Sequence, residues 1–199
     1  MDINYKIQRP DKDISDFVES FWFLENPSEV DKEIIVIPDG RVDVFFSYSA
    51  WEPFKVVLMG LEDEPAVKVM KAKTNFFAVS LNLLAVEYLL NESISDLLNK
   101  SKLLPNGFLE ICENDIVSFD SFCAKATASR KIQADVKIDD RKRRLFNLIY
   151  SYCGTYSVGD LSEGVFLTPG QINRYFNQQF GMPLKPIAPF FDLKHHFVI

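Results

Sequence analysis

The chain has 199 residues, 47% of them hydrophobic and eighteen of them Phe, which is enough apolar mass for one large core or two small ones and too much for a disordered segment. Three cysteines, Cys112, Cys123 and Cys153, show neither paired nor metal-ligand spacing, which argues against a disulfide scaffold or a zinc module and suits a reducing compartment. The net charge of −6 opposes nucleic-acid binding, but it is unevenly spread: from Asp140 onward seven basic residues face four acidic ones, a local +3, so residues 1–139 carry −9.

In chain order, residues 14–25 mix aromatic and β-branched types and predict a strand ending at 21–24. Residues 34–37 are a β-rich run, and Val42, Val44 and Phe46 alternate with polar neighbours. Between them Pro38 pre-sets a turn dihedral, Asp39 can brace the backbone and Gly40 takes positive φ, so a β-hairpin is predicted. Further strands are expected at 54–60, 66–72 and 75–81, a spacing that predicts an antiparallel sandwich or barrel. The pattern then changes. Residues 83–90 and 93–99 read as helical, the second opened by a Ser93-x-x-Asp96 box. A turn is expected at 104–107 and a longer helical region at 108–130.

Residues 132–140 are polar, mixed in charge, and read as a linker. The stretch 141–154 predicts an amphipathic helix with Leu145, Leu148, Ile149 and Tyr152 facing inward. Its opening run, Arg141 to Arg144, serves either as a phosphate grip or as a solvated face.

Residues 157–181 then read as two short helices joined by a tight turn. Ser157 and Asp160 cap the first, and Leu161 turns inward. Thr168, Pro169 and Gln171 form a capping box with Pro at the first helical position of the second. Ile172, Phe176 and Phe180 make an apolar stripe, and Gly181 is placed for a left-handed cap. The remaining face carries Gly170, Asn173, Arg174, Asn177 and Gln178. Amides and a guanidinium on an open helix face have the donors and acceptors that read adenine and guanine edges in a major groove.

Thr168, Ile172, Arg174, Phe176, Gly181 and Pro183, in that order and spacing, resemble the first helix-turn-helix of the AraC family of bacterial transcription regulators. Trp22, Pro38, Asp39, Gly40 and Gly60 further resemble a sensor domain that precedes some of these readers. The resemblance implies an α+β protein. Residues 1–131 form a cupin-like antiparallel β-barrel or sandwich with C-terminal helices, β-rich over 1–82 and helical over 83–130. Residues 141–199 form a small all-α helix-turn-helix unit that lacks the family's second helix-turn-helix, since Pro186 and Pro189 discourage the helix that would join the two. It also implies a regulator that binds double-stranded DNA through Gly170, Asn173, Arg174 and Asn177, with Arg174 on guanine and Lys185 on phosphate. A small-molecule effector and a homodimer are the further partners it implies. The alternative is an effector-binding or dimerisation module whose shortened reader does not hold DNA by itself.

Aromatic residues are dense between Phe17 and Phe54 and make either a barrel core or an effector pocket. In the second case Trp22, Arg41, Asp43 and Trp51 are the candidate ligand-binding residues. No cofactor or metal is expected, because the only histidines, His195 and His196, lie at the chain end. No nucleophile elbow or glycine-rich phosphate loop is present, so no enzymatic activity is expected. The start of the chain lacks a signal pattern and no apolar run reaches spanning length, so a cytoplasmic protein without membrane partners is expected.

Overall fold

The computed structural model describes residues 3–151 and 157–184, together with the backbone of residues 197–198. Its strands are β1 (Asn4–Gln8), β2 (Val18–Asn26), β3 (Lys32–Val36), β4 (Val42–Ser49), β5 (Lys55–Met59), β6 (Ala66–Met70), β7 (Thr74–Leu81), β8 (Ser101–Leu104) and β9 (Phe197–Val198). Its α-helices are α1 (Phe119–Thr127), α2 (Asp140–Ser151), α3 (Val158–Val165) and α4 (Pro169–Phe180). The protein is α+β. Six strands form one sheet in the order β1-β2-β7-β4-β5-β8, three form a second in the order β6-β3-β9, and the described pairings are antiparallel.

Alternation along the strands divides the six-stranded sheet into two apolar faces. Phe21, Val44, Phe46, Phe77 and Val79 lie on one face and belong to a core that continues through Phe122 of α1 to the C-terminal helices. Trp22, Leu24 and Ala78 lie on the other and pack with Ile34 of β3 and Met70 of β6, so the smaller sheet covers that side.

The expected hairpin at Pro38–Gly40 is not there. The turn chemistry is present, with the Arg41 N–H donating to Asp39 Oδ1 at 2.9 Å and Gly40 at φ +68°. The flanking strands nevertheless diverge: β3 pairs with β6, and β4 pairs with β5 and β7. Ile34 fills the space between the sheets while Val42, Val44 and Phe46 face the helices, so the turn carries the chain from one sheet to the other.

Residues 84–90 are helical, close to the expected 83–90, and Val86–Leu90 form a π-helix. Residues 93–99 are not helical. Ser93 does not cap a helix of its own. Its Oγ donates to the Gln178 carbonyl at 2.6 Å, and the Ile94 N–H donates to the Gln179 carbonyl at 2.9 Å. These carbonyls belong to the last turn of α4 and lack helical partners, so a tertiary cap has displaced a local one. The region 108–130 contains two single-turn 3-10 segments before α1.

In α2, Leu145 and Ile149 are buried as expected, Leu148 is half-buried, and Tyr152 lies outside the described residues. Helices α2, α3 and α4 do not have a core apart from the sheets. Leu145, Phe146, Leu161, Ile172, Phe176 and Phe180 belong to the same apolar cluster as Val42, Val79 and Leu83. Among the described residues, no helix is long and apolar enough to cross a membrane.

Candidate functional site

The α3–α4 pair is built as its local sequence dictates. Ser157 and Asp160 cap α3 reciprocally, and Thr168 and Gln171 do the same for α4, with Thr168 Oγ1 accepting from the Gln171 N–H at 3.2 Å and Gln171 Oε1 from the Thr168 N–H at 2.8 Å. Ile172, Phe176 and Phe180 are buried, and this fixes the phase of α4. Gly170, Gln171, Arg174, Asn177 and Gln178 are exposed in consequence. Asn173 is different: it is half-buried, and its side-chain oxygen is covered by protein without a hydrogen-bond partner among the described residues. Arg174 and Asn177 therefore remain on the open face with Gly170, while Asn173 sits at its edge. Lys185 lies outside the described residues.

Two features of this region are missing from the sequence reading. Phe166, in the turn between α3 and α4, is 81% exposed and holds φ +56°, a left-handed conformation that is costly for a residue with a side chain. The second is a carboxylate seam that fastens the helices to the body. Glu87, the one charged residue in the apolar run 83–90, accepts from Lys142 Nζ of α2 at 2.6 and 2.7 Å and from the Tyr175 hydroxyl of α4 at 2.9 Å. Burial pushes the Tyr175 phenol far up, and the Glu87 charge adds to the shift.

The basic run opening α2 belongs to the same docking. Arg143 Nε lies 3.0 Å from Asp16 Oδ2 and its other arm 2.7 Å from Asp140. Arg141 pairs with Asp139 at 2.7 Å, and that hydrogen bond holds the Asp139 carboxyl down at about 2. Three of the four cations are thus engaged with carboxylates, and Arg144 is exposed. Replacing Glu87 by Gln keeps an acceptor for Tyr175 but removes the charge opposite Lys142. A loss of about 1–2 kcal/mol in urea unfolding is expected, and unchanged stability would show that the charge of Glu87 opposite Lys142 contributes nothing.

Of the four candidate ligand-binding residues, two line one cavity, Trp22 lies behind one of its walls, and Trp51 is elsewhere. Arg41 and Asp43 line a cavity between the sheets with Phe45 and Met59, and Trp22 packs edge-on against Phe45 at 5.0 Å between ring centroids. Burial pushes the neighbouring Tyr5 phenol up to about 12, with Asp43 and Asp39 adding to the shift and Arg9 opposing it. The cavity measures about 40 Å³, which is room for a few waters. Trp51 is 76% exposed at the turn between β4 and β5 and does not line it. The Arg41 guanidinium also stands 3.5 Å above the Tyr150 ring of α2. The Tyr150 hydroxyl accepts from the Leu83 N–H at 2.8 Å, and burial raises its pKa. The turn between the sheets therefore touches both the cavity and α2.

A profile of the family described as a domain of unknown function, DUF6597, matches residues 6–112, more than half of the chain. The chain belongs to the DUF6597 family. No curated protein and no solved structure matches it. The DUF6597 region takes in the inter-sheet cavity, Glu87 and Tyr88, and it ends before α1. Helices α2 to α4 lie outside it, so the open face of α4 has to be judged on its own geometry.

Proposed function

We propose that this DUF6597 protein is a transcription regulator of AraC type, in which α3 and α4 form a helix-turn-helix and α4 reads the major groove of double-stranded DNA. One observation carries the reading: α4 is anchored by Ile172, Phe176 and Phe180 while Gly170, Arg174 and Asn177 share its open face. Gly170 lets the backbone come close to the duplex, Arg174 has the fork that matches guanine, and Asn177 has the paired donor and acceptor that match adenine. The body, β-sheets with helices on one face, then serves as a cupin-like sensor or dimerisation domain. Its contacts to α2 and α4 through Arg41, Tyr150 and Glu87 are where an effector or a second copy would act on the reader. We place the protein in the cytoplasm with its DNA.

A second reading is favoured by the engagement of Arg141, Lys142 and Arg143 with carboxylates. With these cations neutralised, a single chain has few groups left for phosphate, and the protein then acts as a dimerisation or effector-binding module that does not hold DNA alone. Selection from a pool of randomised duplexes separates the two. Enrichment of one sequence family by the full chain is expected for the regulator, and a pool that stays random favours the module.

A further inference from the structure

We infer that the cleft between residues 105–110 and the segment following α1 is a binding site for a small organic anion with an apolar body. The cleft opens widely to solvent and offers about 640 Å³, inside the range of sites that hold small ligands and well above the cavity between the sheets. Its lining is mixed in character. Tyr88, Leu89, Pro105 and Phe108 supply apolar and aromatic surface, and Arg130 and Lys131 bring two cations beside it.

The charges are arranged unequally. Arg130 is committed to Glu110: its Nε and backbone N–H donate to the two carboxylate oxygens at 2.6 and 2.8 Å, and this bonding holds the Glu110 carboxyl below its usual range. Lys131 has a different partner, with Nζ lying 4.5 Å from the centroid of the Phe108 ring. A ring face balances a cation only partly, so the ammonium keeps its capacity to pair with an anion entering beside that ring. The backbone is bent to make this wall. Leu109 and Glu110 are consecutive left-handed residues at φ +56° and +59°, which drops Leu109 into the core and aims Glu110 at Arg130. Strained backbone of this kind is characteristic of ligand clamps.

The site is also connected to the helices. Tyr88 lines the cleft, and its hydroxyl accepts the Asp139 N–H at 3.1 Å just before α2. A ligand filling the cleft holds residues 130–134 and the entry to α2 against the body. The inference is independent of whether α4 reads DNA.

Fluorescence titration of the full chain with 2-naphthoate and with its uncharged counterpart 2-naphthamide tests it. One saturable naphthoate site per chain is expected, with the amide at least about tenfold weaker. Lys131→Glu should weaken naphthoate at least about tenfold while leaving the melting temperature unchanged, since Lys131 is exposed, and Lys131→Arg should keep the site. Absence of saturable naphthoate binding, equal affinity for the amide, or undiminished binding by Lys131→Glu would each overturn the inference. DNA binding is not read in this experiment, so its failure would leave the reading of α4 standing.

Discussion

Phe176→Ala is expected to lower the unfolding free energy by about 3–5 kcal/mol. Phe176 is 2% exposed and its ring lies 5.0 Å from Phe180 and 5.8 Å from Phe146 between centroids, so truncation opens a void walled by aromatic rings that cannot all collapse into it. Small proteins hold about 5–15 kcal/mol in total, so this one change removes a large fraction of it. Because Phe176 shares its core with the sheet, the loss should shift a single unfolding transition instead of releasing the helices separately. Phe166→Ala, ten residues earlier and almost fully exposed, should stay within about 0.5 kcal/mol. A Phe176→Ala protein as stable as the parent would mean that the phase of α4 is wrong, and the assignment of its open face would fall with it.

Gly181→Ala should be nearly as damaging, for a different reason. Gly181 closes α4 at φ +77°, and its N–H donates to the Asn177 carbonyl at 3.1 Å. A methyl group there would overlap the Ser95 carbonyl oxygen and lie 3.0 Å from its carbon. Left-handed strain of about 1–2 kcal/mol and overpacking of about 1–3 kcal/mol add to an expected loss of about 2–5 kcal/mol. The clash is with backbone, so no rotamer change relieves it. The segment 93–95 must move, and with it the bonds from Ser93 and Ile94 that cap the end of α4. Chemical denaturation measures the loss, and hydrogen exchange at the Ile94 amide should rise in the variant. A Gly181→Ala protein with parental stability and a protected Ile94 amide would show that α4 does not end against this segment.

What the sequence made legible is what short-range chemistry decides. Ser157 and Thr168 name their helices three residues ahead, and the stripe Ile172–Phe176–Phe180 fixes which face of α4 is buried. Strands β5, β6 and β7 follow from their own residue types. Partner choice was not legible. Pro38, Asp39 and Gly40 make the turn they promise, but whether the flanking strands pair with each other depends on β6 and β7, some thirty residues away. Ser93 and Asp96 carry a capping pattern that α4, more than eighty residues later, draws to its own carbonyls. Strands β1 and β8 escaped notice because they are short, largely exposed edges with little apolar alternation to mark them. At the candidate site, Arg174 and Asn177 could be read from helical phase, whereas the burial of the Asn173 amide oxygen depends on tertiary contacts. Glu87 did leave a trace, as a lone charge in an apolar run, but its partners on α2 and α4 lie 55 and 88 residues away.

On the proposed reading, Arg174 on α4 contacts a base. The most direct test is equilibrium binding of the full chain and of Arg174→Ala to one selected duplex and its single-base variants, at low and moderate salt. The α3–α4 reader has few available cations and neutralises few phosphates, so specific binding is expected only at concentrations where two copies associate, with their recognition helices about 34 Å apart, and it should weaken steeply with salt. In that assembly Arg174→Ala should lose about 1–3 kcal/mol of discrimination at one base position and leave the other positions unchanged. A variant that binds more weakly but ranks every duplex as the parent does would make Arg174 a phosphate anchor, and tight, salt-insensitive binding by a single chain would rule out a reader that depends on two associated copies.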